Sequence, residues 1–432
     1  MATETIATLT NILKDKFLPA LNSEVASYDA IADIFTDKSS DAEWSGDGRK
    51  AITYHEMAWQ EGVGAIGDGA NLPTPGLEDI QQGAINMKFL YGSFELTGPS
   101  MILSDGKNSY VNALTLKMNN LKKRLKKELG RIIWGTGSGR LALATAAVAA
   151  NATTIPVNTP GGFTGTYGAR FLRKGMIILV TNDNATIAGV TTVTAVDPAG
   201  LTVTVSPGIP VALVAGAIIY RVSTTGATSF AESSKDNEPD GILKIVSDAS
   251  IAATFETLSR ATYPQLNSTV DTAVGAITLD RINRNFDVAS QKSDDIGVDC
   301  LACHHSVRRA ILTQLQADRR YTNELLRTPD VGIDAVTKGP KKGTYVTFGG
   351  VPIIESTNAP YDTLVGLDKG SFTKYTRVEG DFADEDGAVL SRIAGTDKWG
   401  GFYRKFYNMT GRPKNNFLMT GITSTAVYVA QN

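Results

Sequence analysis

The clearest pattern along the chain is helical and lies between residues 108 and 134. Apolar residues recur there at spacings of three and four, namely Leu114, Met118, Leu121, Leu125, Leu129 and Ile132. This spacing places apolar side chains on one face of an α-helix. Gly135, Gly137 and Gly139 follow and favour an end to the helix. The pattern predicts one long amphipathic helix, about 40 Å in length at about 1.5 Å per residue.

Two strand-like segments, residues 50–60 and 84–96, flank a stretch that is rich in glycine and proline. This stretch contains Gly62, Gly64, Gly67, Gly69, Pro73 and Pro75. Glycine and proline oppose a regular helix, so we expect a long extended hairpin whose flexible tip contains these six residues. Before the hairpin, apolar residues between Ile6 and Leu21 have helical spacing interrupted by Pro19, which indicates a helical arm.

The segment 140–230 has a different character, since it contains only seven charged residues. Short β-branched runs at 176–180, 191–196, 201–205 and 217–222 alternate with turn residues such as Asn, Asp, Pro and Gly. This alternation predicts a small all-β barrel or sandwich inserted as a unit.

Mixed α/β character returns from residue 247 to 354. The tail, residues 371–429, alternates aromatic and polar residues, which indicates strands.

Composition and charge are those of a globular protein without a strong overall electrostatic field. The 432 residues (46.0 kDa) are 42% hydrophobic and 20% charged, which disfavours disorder and predicts two or three compact units. The formal charge is −2, yet residues 105–135 hold eight basic against two acidic residues. The candidates for binding nucleic-acid phosphate, without sequence preference, are Lys122, Lys123, Arg124, Lys126, Lys127 and Arg131. The alternative is the solvated face of an amphipathic helix.

Cys300 and Cys303 are the only cysteines, too few for a disulfide framework. With His304 they match the C-x-x-C-H pattern of c-type haem attachment, and a redox pair is a second possibility. Two buried thiols at the end of a core strand are the interpretation we favour. His305 adds a fourth ligand, but four ligands within six residues can hardly surround a tetrahedral metal ion. We therefore expect neither cofactor nor metal.

Two further patterns carry no chemistry in our interpretation. The G-x-G-x-x-G at residues 62–67 lacks the helix that must follow it to bind phosphate. An acidic cluster is interpreted as a solvated connection and not as a calcium site; its members are Glu379, Asp381, Asp384, Glu385 and Asp386. No G-x-S-x-G motif is present, and no catalytic residue is assigned. The start of the chain does not read as a secretory signal, and the longest apolar stretch, 209–220, is short for a membrane span.

The order of these parts resembles the major capsid protein of tailed bacteriophages, with its Hong Kong phage-type capsid fold. Residues 348–360 are similar to a glycine- and proline-containing stretch of the family's axial domain, and residues 367–375 resemble the strand that leads back to the peripheral domain. The resemblance implies an α+β fold of six parts. These are an N-terminal arm (1–47), an extended β-hairpin loop (48–104), a spine helix of the peripheral domain (105–139), an inserted β domain (140–235), an axial domain (236–370) and peripheral-domain strands with the C-terminal segment (371–432).

The resemblance also implies a function. The chain is expected to be a structural protein, not an enzyme, that assembles in the host cytoplasm into hexamers and pentamers of an icosahedral virion shell around double-stranded DNA. Further expected partners are a separate scaffolding protein, a portal and a decoration protein, with no membrane. Residues 51–87 contain no lysine, so we expect none of the isopeptide cross-links that some members form. An encapsulin-like compartment, a c-type haem or redox protein and a cell-surface carbohydrate-binding protein remain alternatives.

Overall fold

A computed structural model describes most of the chain. The described residues are 18–19, 21, 29–40, 42–99, 107–162, 167–293, 297–319, 333–334, 345–384 and 388–425, with side chains except at 107–116, 162, 315–319, 333–334 and 345–346. The predicted helical arm lies mostly outside the described residues. No helix within the described part combines the length and the apolar character needed to cross a lipid bilayer.

The predicted hairpin is present, and its two strands are part of a small sheet. Five strands precede the long helix: β1 (Thr36–Asp37), β2 (Glu43–Trp44), β3 (Lys50–Ala58), β4 (Asp79–Asn86) and β5 (Lys88–Thr97). Strands β2, β3 and β4 form an antiparallel sheet in which Lys50 lies opposite Asn86 and Ala58 opposite Asp79. We call residues 59–78, which join β3 to β4, the hairpin tip. The sequence pattern did not separate β5 from this hairpin, but β5 pairs with a late strand in another sheet.

The predicted long helix is confirmed as α1 (Lys107–Ile132). Its apolar residues from Met118 onwards are buried, as their spacing predicts. The helix packs on β5, where a Cβ added to Gly92 would lie 2.9 Å from a methyl carbon of Leu121. Glycine at position 92 therefore allows the helix to approach the strand closely.

Six strands after the helix close into a barrel. They are β6 (Arg140–Ala144), β7 (Thr154–Asn158), β8 (Ile177–Thr181), β9 (Ile187–Val196), β10 (Thr202–Ser206) and β11 (Ile218–Arg221), in the order β10-β7-β6-β11-β8-β9 with β9 paired to β10. Every pairing is antiparallel. Side chains such as Leu141, Ile155, Ile178, Val203 and Ile219 are fully buried in a core of the barrel's own. The barrel therefore has the closed strands and separate core of an independent unit.

The segment after the barrel mixes helices and strands, as the sequence predicts. Its elements are α2 (Ile242–Ile245), β12 (Thr254–Phe255), β13 (Leu258–Ser259), β14 (Thr269–Asp271), α3 (Leu279–Lys292), β15 (Cys300–Cys303), α4 (His305–Arg319), β16 (Ile333–Asp334), β17 (Tyr345–Phe348), β18 (Val351–Glu355) and β19 (Leu364–Leu367). Short 3-10 turns join several of them. Helix α3 is capped at its N-terminus by Thr278, whose side chain accepts a hydrogen bond from the backbone N–H of Arg281. This is the expected cap for the first turn of a helix.

The tail contributes strands to two sheets. It contains β20 (Phe372–Phe382), β21 (Ser391–Arg392), β22 (Lys398–Gly411) and β23 (Phe417–Met419). One sheet has the order β1-β20-β22-β21, with β5 also paired to β22; the other has the order β14-β23-β19-β15-β18-β17-β16. The predicted aromatic alternation is real, since Tyr403 and Tyr407 of β22 are buried while Phe402 is exposed. The final strand, β23, lies in the sheet that residues 236–370 otherwise form, and not with the rest of the tail.

Candidate functional site

The hairpin tip exposes apolar side chains that the described residues leave uncovered. Val63 and Leu77 are each 94% exposed, Leu72 is 82% exposed and Trp59 is 70% exposed. The predicted tip residues lie here too: Gly64, Gly67, Gly69 and Pro75 are exposed, and Gly62 and Pro73 are half-buried. The backbone N–H of Ala70 bonds to the carbonyl of Gly67 in a turn where Gly69 has φ 78°. The tip thus exposes apolar side chains beside a turn that glycine adopts easily.

The foot of the hairpin, by which we mean Thr53 and His55 of β3 and Ala84 of β4, is held by a residue that no sequence motif marks. Glu256 lies in the turn between β12 and β13, and its carboxylate is buried. Its Oε2 atom lies 2.5 Å from Thr53 Oγ1 and 2.5 Å from His55 Nε2, both on β3. Thr410 of β22 donates to the other carboxylate oxygen, and the Ala84 N–H bonds to the Glu256 carbonyl at 2.9 Å. One side chain therefore joins the hairpin to the main body.

The same turn is strained. Glu256 has φ 47° and Thr257 has φ 70°, values that favour glycine and that a β-branched residue rarely adopts. Such strain persists only where surrounding contacts hold the backbone in place. The bonds from Glu256 to both hairpin strands and to β22 supply those contacts. No sequence motif marks this residue, because its partners are far from it in the chain.

The structure divides the six predicted phosphate-binding residues of α1 into three groups. Lys123 and Lys127 are exposed, and Lys122, Arg124 and Lys126 are half-buried. Arg131 does not face solvent: it is 6% exposed, bonds Glu128 at 2.6 Å and forms an ion pair with Glu238. The prediction for Arg131 is therefore wrong, because two buried carboxylates already bind its guanidinium.

This buried ion-pair cluster joins the helix to the barrel. Arg221, at the end of β11, lies 3.4 Å from the second oxygen of Glu128. Although burial opposes ionisation of Glu128, the charges of Arg131 and Arg221 lower its pKa to about 2. The pKa of Glu238 is raised, because burial outweighs the attraction of Arg131. Glu128 thus holds cations from both elements.

Two of the remaining predicted residues share their surroundings with cations of the barrel. Burial, and then the charge of Arg221, lowers the pKa of Arg124. Burial, and then the charge of Arg173, lowers the pKa of Lys127. The last turns of α1 therefore lie beside the barrel.

Arg170 fixes the barrel to the rest of the subunit from a second side. It is 2% exposed and lies in the 3-10 turn Gly168–Phe171. Its guanidinium donates to the carbonyl of Ala359 at 2.8 Å and to that of Thr357, and its Cζ lies 4.2 Å from the centre of the Tyr361 ring. No sequence motif marks this role, since an arginine in an apolar segment has no recognisable partner.

The C-x-x-C-H segment is part of the core. Cys300 and Cys303 are fully buried in β15, and burial raises the pKa of each thiol to about 12. Burial, and then the charge of Arg170, lowers the pKa of His304 to about 3; its ring lies edge-on to Tyr361 with centroids 4.6 Å apart. A redox thiol needs access and a lowered pKa, and neither is found here. The predicted buried thiols of a core strand are confirmed.

The other chemical patterns gain no support from their surroundings. Residues 62–67 lie in the exposed hairpin tip, and no helix follows them. In the acidic cluster, Glu379 lies 3.8 Å from Lys374, while Glu385 and Asp386 lie outside the described residues. Within the described ranges, no three histidine, cysteine, aspartate or glutamate side chains come together to hold a metal ion.

Comparison with solved structures identifies the fold. The chain is similar to the capsid asymmetric unit of cyanophage A-1(L), with a TM-score of 0.51 and 9% sequence identity over 90% of this chain and 94% of that one. It also matches the capsid of Myoviridae phage XM1, with a TM-score of 0.43 and 7% identity over 91% of each chain. No protein-family model matches the chain, and no curated protein matches it. The likeness to the cyanophage structure confirms the expected phage capsid fold.

Proposed function

We propose that this chain is the major capsid protein of a tailed bacteriophage. It forms hexamers and pentamers that close into an icosahedral virion shell around double-stranded DNA. The fold supports this proposal, since a solved phage capsid structure shares it along most of both chains. The observation that carries the function is the hairpin tip, whose exposed apolar side chains need a partner.

A neighbouring copy is the partner that covers the hairpin tip. Burial of a large apolar side chain contributes about 1.5–3 kcal/mol, and four such side chains on the tip are at least 70% exposed. A long hairpin cannot bury these residues against its own strands. Repeated contacts of this kind between identical subunits lead to closed symmetric rings.

The hairpin combines a fixed foot with an adaptable tip. Glu256 holds the foot through Thr53 and His55 of β3, and Thr410 of β22 donates to its other carboxylate oxygen. Beyond β3 and β4, glycines such as Gly64 and Gly67 allow the backbone to change direction at little cost. One sequence can then fit the different surroundings of a hexamer and a pentamer.

Lys122, Lys123, Arg124, Lys126 and Lys127 of α1 are the side chains that face packaged DNA in this proposal. Lysines that neutralise phosphate release counterions, so their effect depends on salt and not on base sequence. Replacing the four lysines among them with glutamine should reduce the DNA retained per shell and flatten its salt dependence. The control is Lys398→Gln, which removes an exposed lysine from β22 instead. Equal DNA retention in both variants contradicts the DNA-facing role.

The remaining partners follow from the same proposal. A scaffolding protein, a portal and a decoration protein are separate chains, and the barrel is an insertion in the subunit that reinforces contacts or receives the decoration protein. The role is structural and not enzymatic, and the mature location is the virion after assembly in the host cytoplasm.

Expression of the chain, followed by sedimentation and negative-stain electron microscopy, tests the proposal. Uniform shells, or rings of five and six, are the expected products. Co-expression with the neighbouring phage genes should yield shells that contain nuclease-protected DNA. Shells that instead enclose an enzyme favour the encapsulin-like alternative. A stable monomer under all these conditions contradicts both functions.

A further inference from the structure

Two arginines of the barrel lie at the end where the chain enters it from α1. Tyr220 of β11 pairs with Arg140, the first residue of β6, and Arg221 lies opposite Ile178 near the start of β8. Arg173 comes just before β8 in the chain. Arg173 and Arg221 therefore share one end of the barrel, which we call the barrel base.

Cations of α1 lie beside these two arginines. Burial lowers the pKa of Arg173, and the charges of Arg124 and Arg221 lower it further. The pKa of Lys127 is likewise lowered by burial and then by the charge of Arg173, with Lys123 adding to the effect. Positive charges from the helix and from the barrel thus act on one another. We call this set the basic junction; its members are Lys123, Arg124, Lys127, Arg173 and Arg221.

The carboxylate among these cations is buried beneath them. The Glu128 side chain is only 10% exposed and already bonds Arg131 at 2.6 Å and Arg221 at 3.4 Å. The members of the basic junction reach the surface, since Lys123 and Lys127 are exposed while Arg124, Arg173 and Arg221 are half-buried. Like charges held close together repel one another, so a polyanion bound at this surface would relieve the repulsion.

We propose that the basic junction binds the phosphates of double-stranded DNA, so that the barrel base and α1 form one binding surface. Lys123 and Lys127 are separated by one helical turn, about 6 Å along the axis of α1. One strand of DNA presents a phosphate about every 3.4 Å along its own axis, so the two lysines match a short run of phosphates. An arginine guanidinium can donate two parallel hydrogen bonds to one phosphate.

The residues beside the two barrel arginines favour nucleic acid over an acidic protein segment. The exposed neighbours are small or polar, namely Lys174 and Gly175 after Arg173, and Ser223, Thr224, Thr225 and Gly226 after Arg221. Hydroxyl groups and lysines commonly bind phosphate oxygens. The centre of a protein interface is instead apolar and poor in charge, whereas DNA-binding surfaces are strongly positive.

The barrel base is held in a fixed position relative to α1. Arg221 pairs with Glu128 of the helix, and Arg170 donates to the carbonyls of Thr357 and Ala359. The binding surface therefore needs little rearrangement to meet DNA. The inference rests on the proposed function and extends it, because it places the barrel base on the DNA-facing side of the shell together with α1.

The salt dependence of DNA binding by unassembled full-length subunits tests the inference. The probe is a fluorescent random-sequence DNA duplex, and its affinity is measured by anisotropy at several salt concentrations. Arg173→Gln should weaken binding and reduce the slope of log affinity against log salt by about 1, the value of one phosphate contact. Arg173→Lys, which keeps the charge, should restore the slope. The matched control, Arg392→Gln, removes an exposed arginine from β21 and should leave the slope unchanged.

A second measurement uses the unmodified chain and does not depend on how a variant folds. Phenylglyoxal modifies accessible arginines, and mass spectrometry shows which ones react. Bound DNA should protect Arg173 and Arg221 from the reagent and leave Arg392 as reactive as before. Equal reactivity of Arg173 with and without DNA overturns the inference.

The possible results separate the inference from the proposed function. A slope that Lys123→Gln reduces and Arg173→Gln leaves unchanged overturns the role of the barrel, while α1 still faces DNA. A slope that neither change reduces overturns the DNA-facing role of α1 as well. Polyglutamate that displaces the duplex as readily as unlabelled DNA also overturns the inference, since the basic junction then fits an acidic protein segment. Shell formation by the unmodified chain, measured by sedimentation, tests the proposed function separately.

Discussion

The hairpin and the barrel are both built from antiparallel strands, yet they bury their apolar residues in opposite ways. The barrel closes on itself and places side chains such as Ile155 and Ile219 in its own core. The hairpin extends two strands beyond the body and leaves Leu72 and Leu77 almost fully exposed. The difference indicates that the barrel can be stable within one subunit, whereas the hairpin tip leaves apolar surface for a partner, which we propose is a second copy.

The largest expected effect comes from removal of the hairpin tip. Replacing residues 59–78 with Asn-Gly closes β3 and β4 through a two-residue turn, which suits an antiparallel pair. The subunit should fold with an unchanged thermal midpoint, because the tip contributes no buried core. Shells should no longer form, as measured by sedimentation. Normal shells from this variant contradict the role assigned to the tip.

Removal of the ion pairs between α1 and the barrel should have the next largest effect. Arg131→Ala leaves Glu238 buried without its guanidinium and removes one of the cations that hold Glu128. Loss of one partner from a buried pair costs about 3–5 kcal/mol, which urea unfolding can measure. Lys123→Ala, on the exposed side of the same helix, is the control and should change stability by less than about 0.5 kcal/mol. Equal effects of the two changes would show that Arg131 is not buried as described.

A pair of core and surface substitutions tests the comparison most simply. Ile219→Ala in the barrel should lower the free energy of unfolding by about 2–5 kcal/mol, because it leaves a cavity at a fully buried site. Leu72→Ala on the hairpin tip should leave subunit stability within about 0.5 kcal/mol and weaken assembly instead. A loss of subunit stability from Leu72→Ala contradicts an uncovered tip.

The last expected effect is a dependence on pH. The pKa of Glu128 is lowered to about 2, so its ionised form stabilises the fold above its ordinary value of 4.5. This contribution is lost as the pH falls from 4.5 towards 2. Glu128→Gln should therefore be less stable than the unmodified chain at pH 7, with the difference narrowing below pH 4.5. Glu95→Gln, at an exposed site on β5, should show no such narrowing.

Local patterns predicted the elements but not their long-range partners. The spacing of Leu121, Leu125 and Leu129 is enough to predict α1, because the helical period is a property of neighbouring residues. The pairing of β5 with β22 could not be predicted from local spacing, since the partner strand lies some 300 residues further along the chain. For the same reason, the sequence pattern did not predict that β23 lies in the other sheet.

The candidate sites show this limit at single residues. Arg131 has the sequence surroundings of an exposed basic helix, and its burial depends on Glu238 and on a barrel that packs there. Glu256 and Arg170 carry no motif, because their partners come from other parts of the chain. The hairpin tip, in contrast, was predictable, since its glycines and prolines determine local backbone behaviour.

Electron cryomicroscopy of the particles formed by the unmodified chain tests the central claim most directly. The account predicts closed shells in which Trp59, Leu72 and Leu77 of each hairpin tip lie against a neighbouring subunit, while each barrel encloses its own core. Shells in which the hairpin tips remain in solvent, or a chain that stays monomeric, would contradict it.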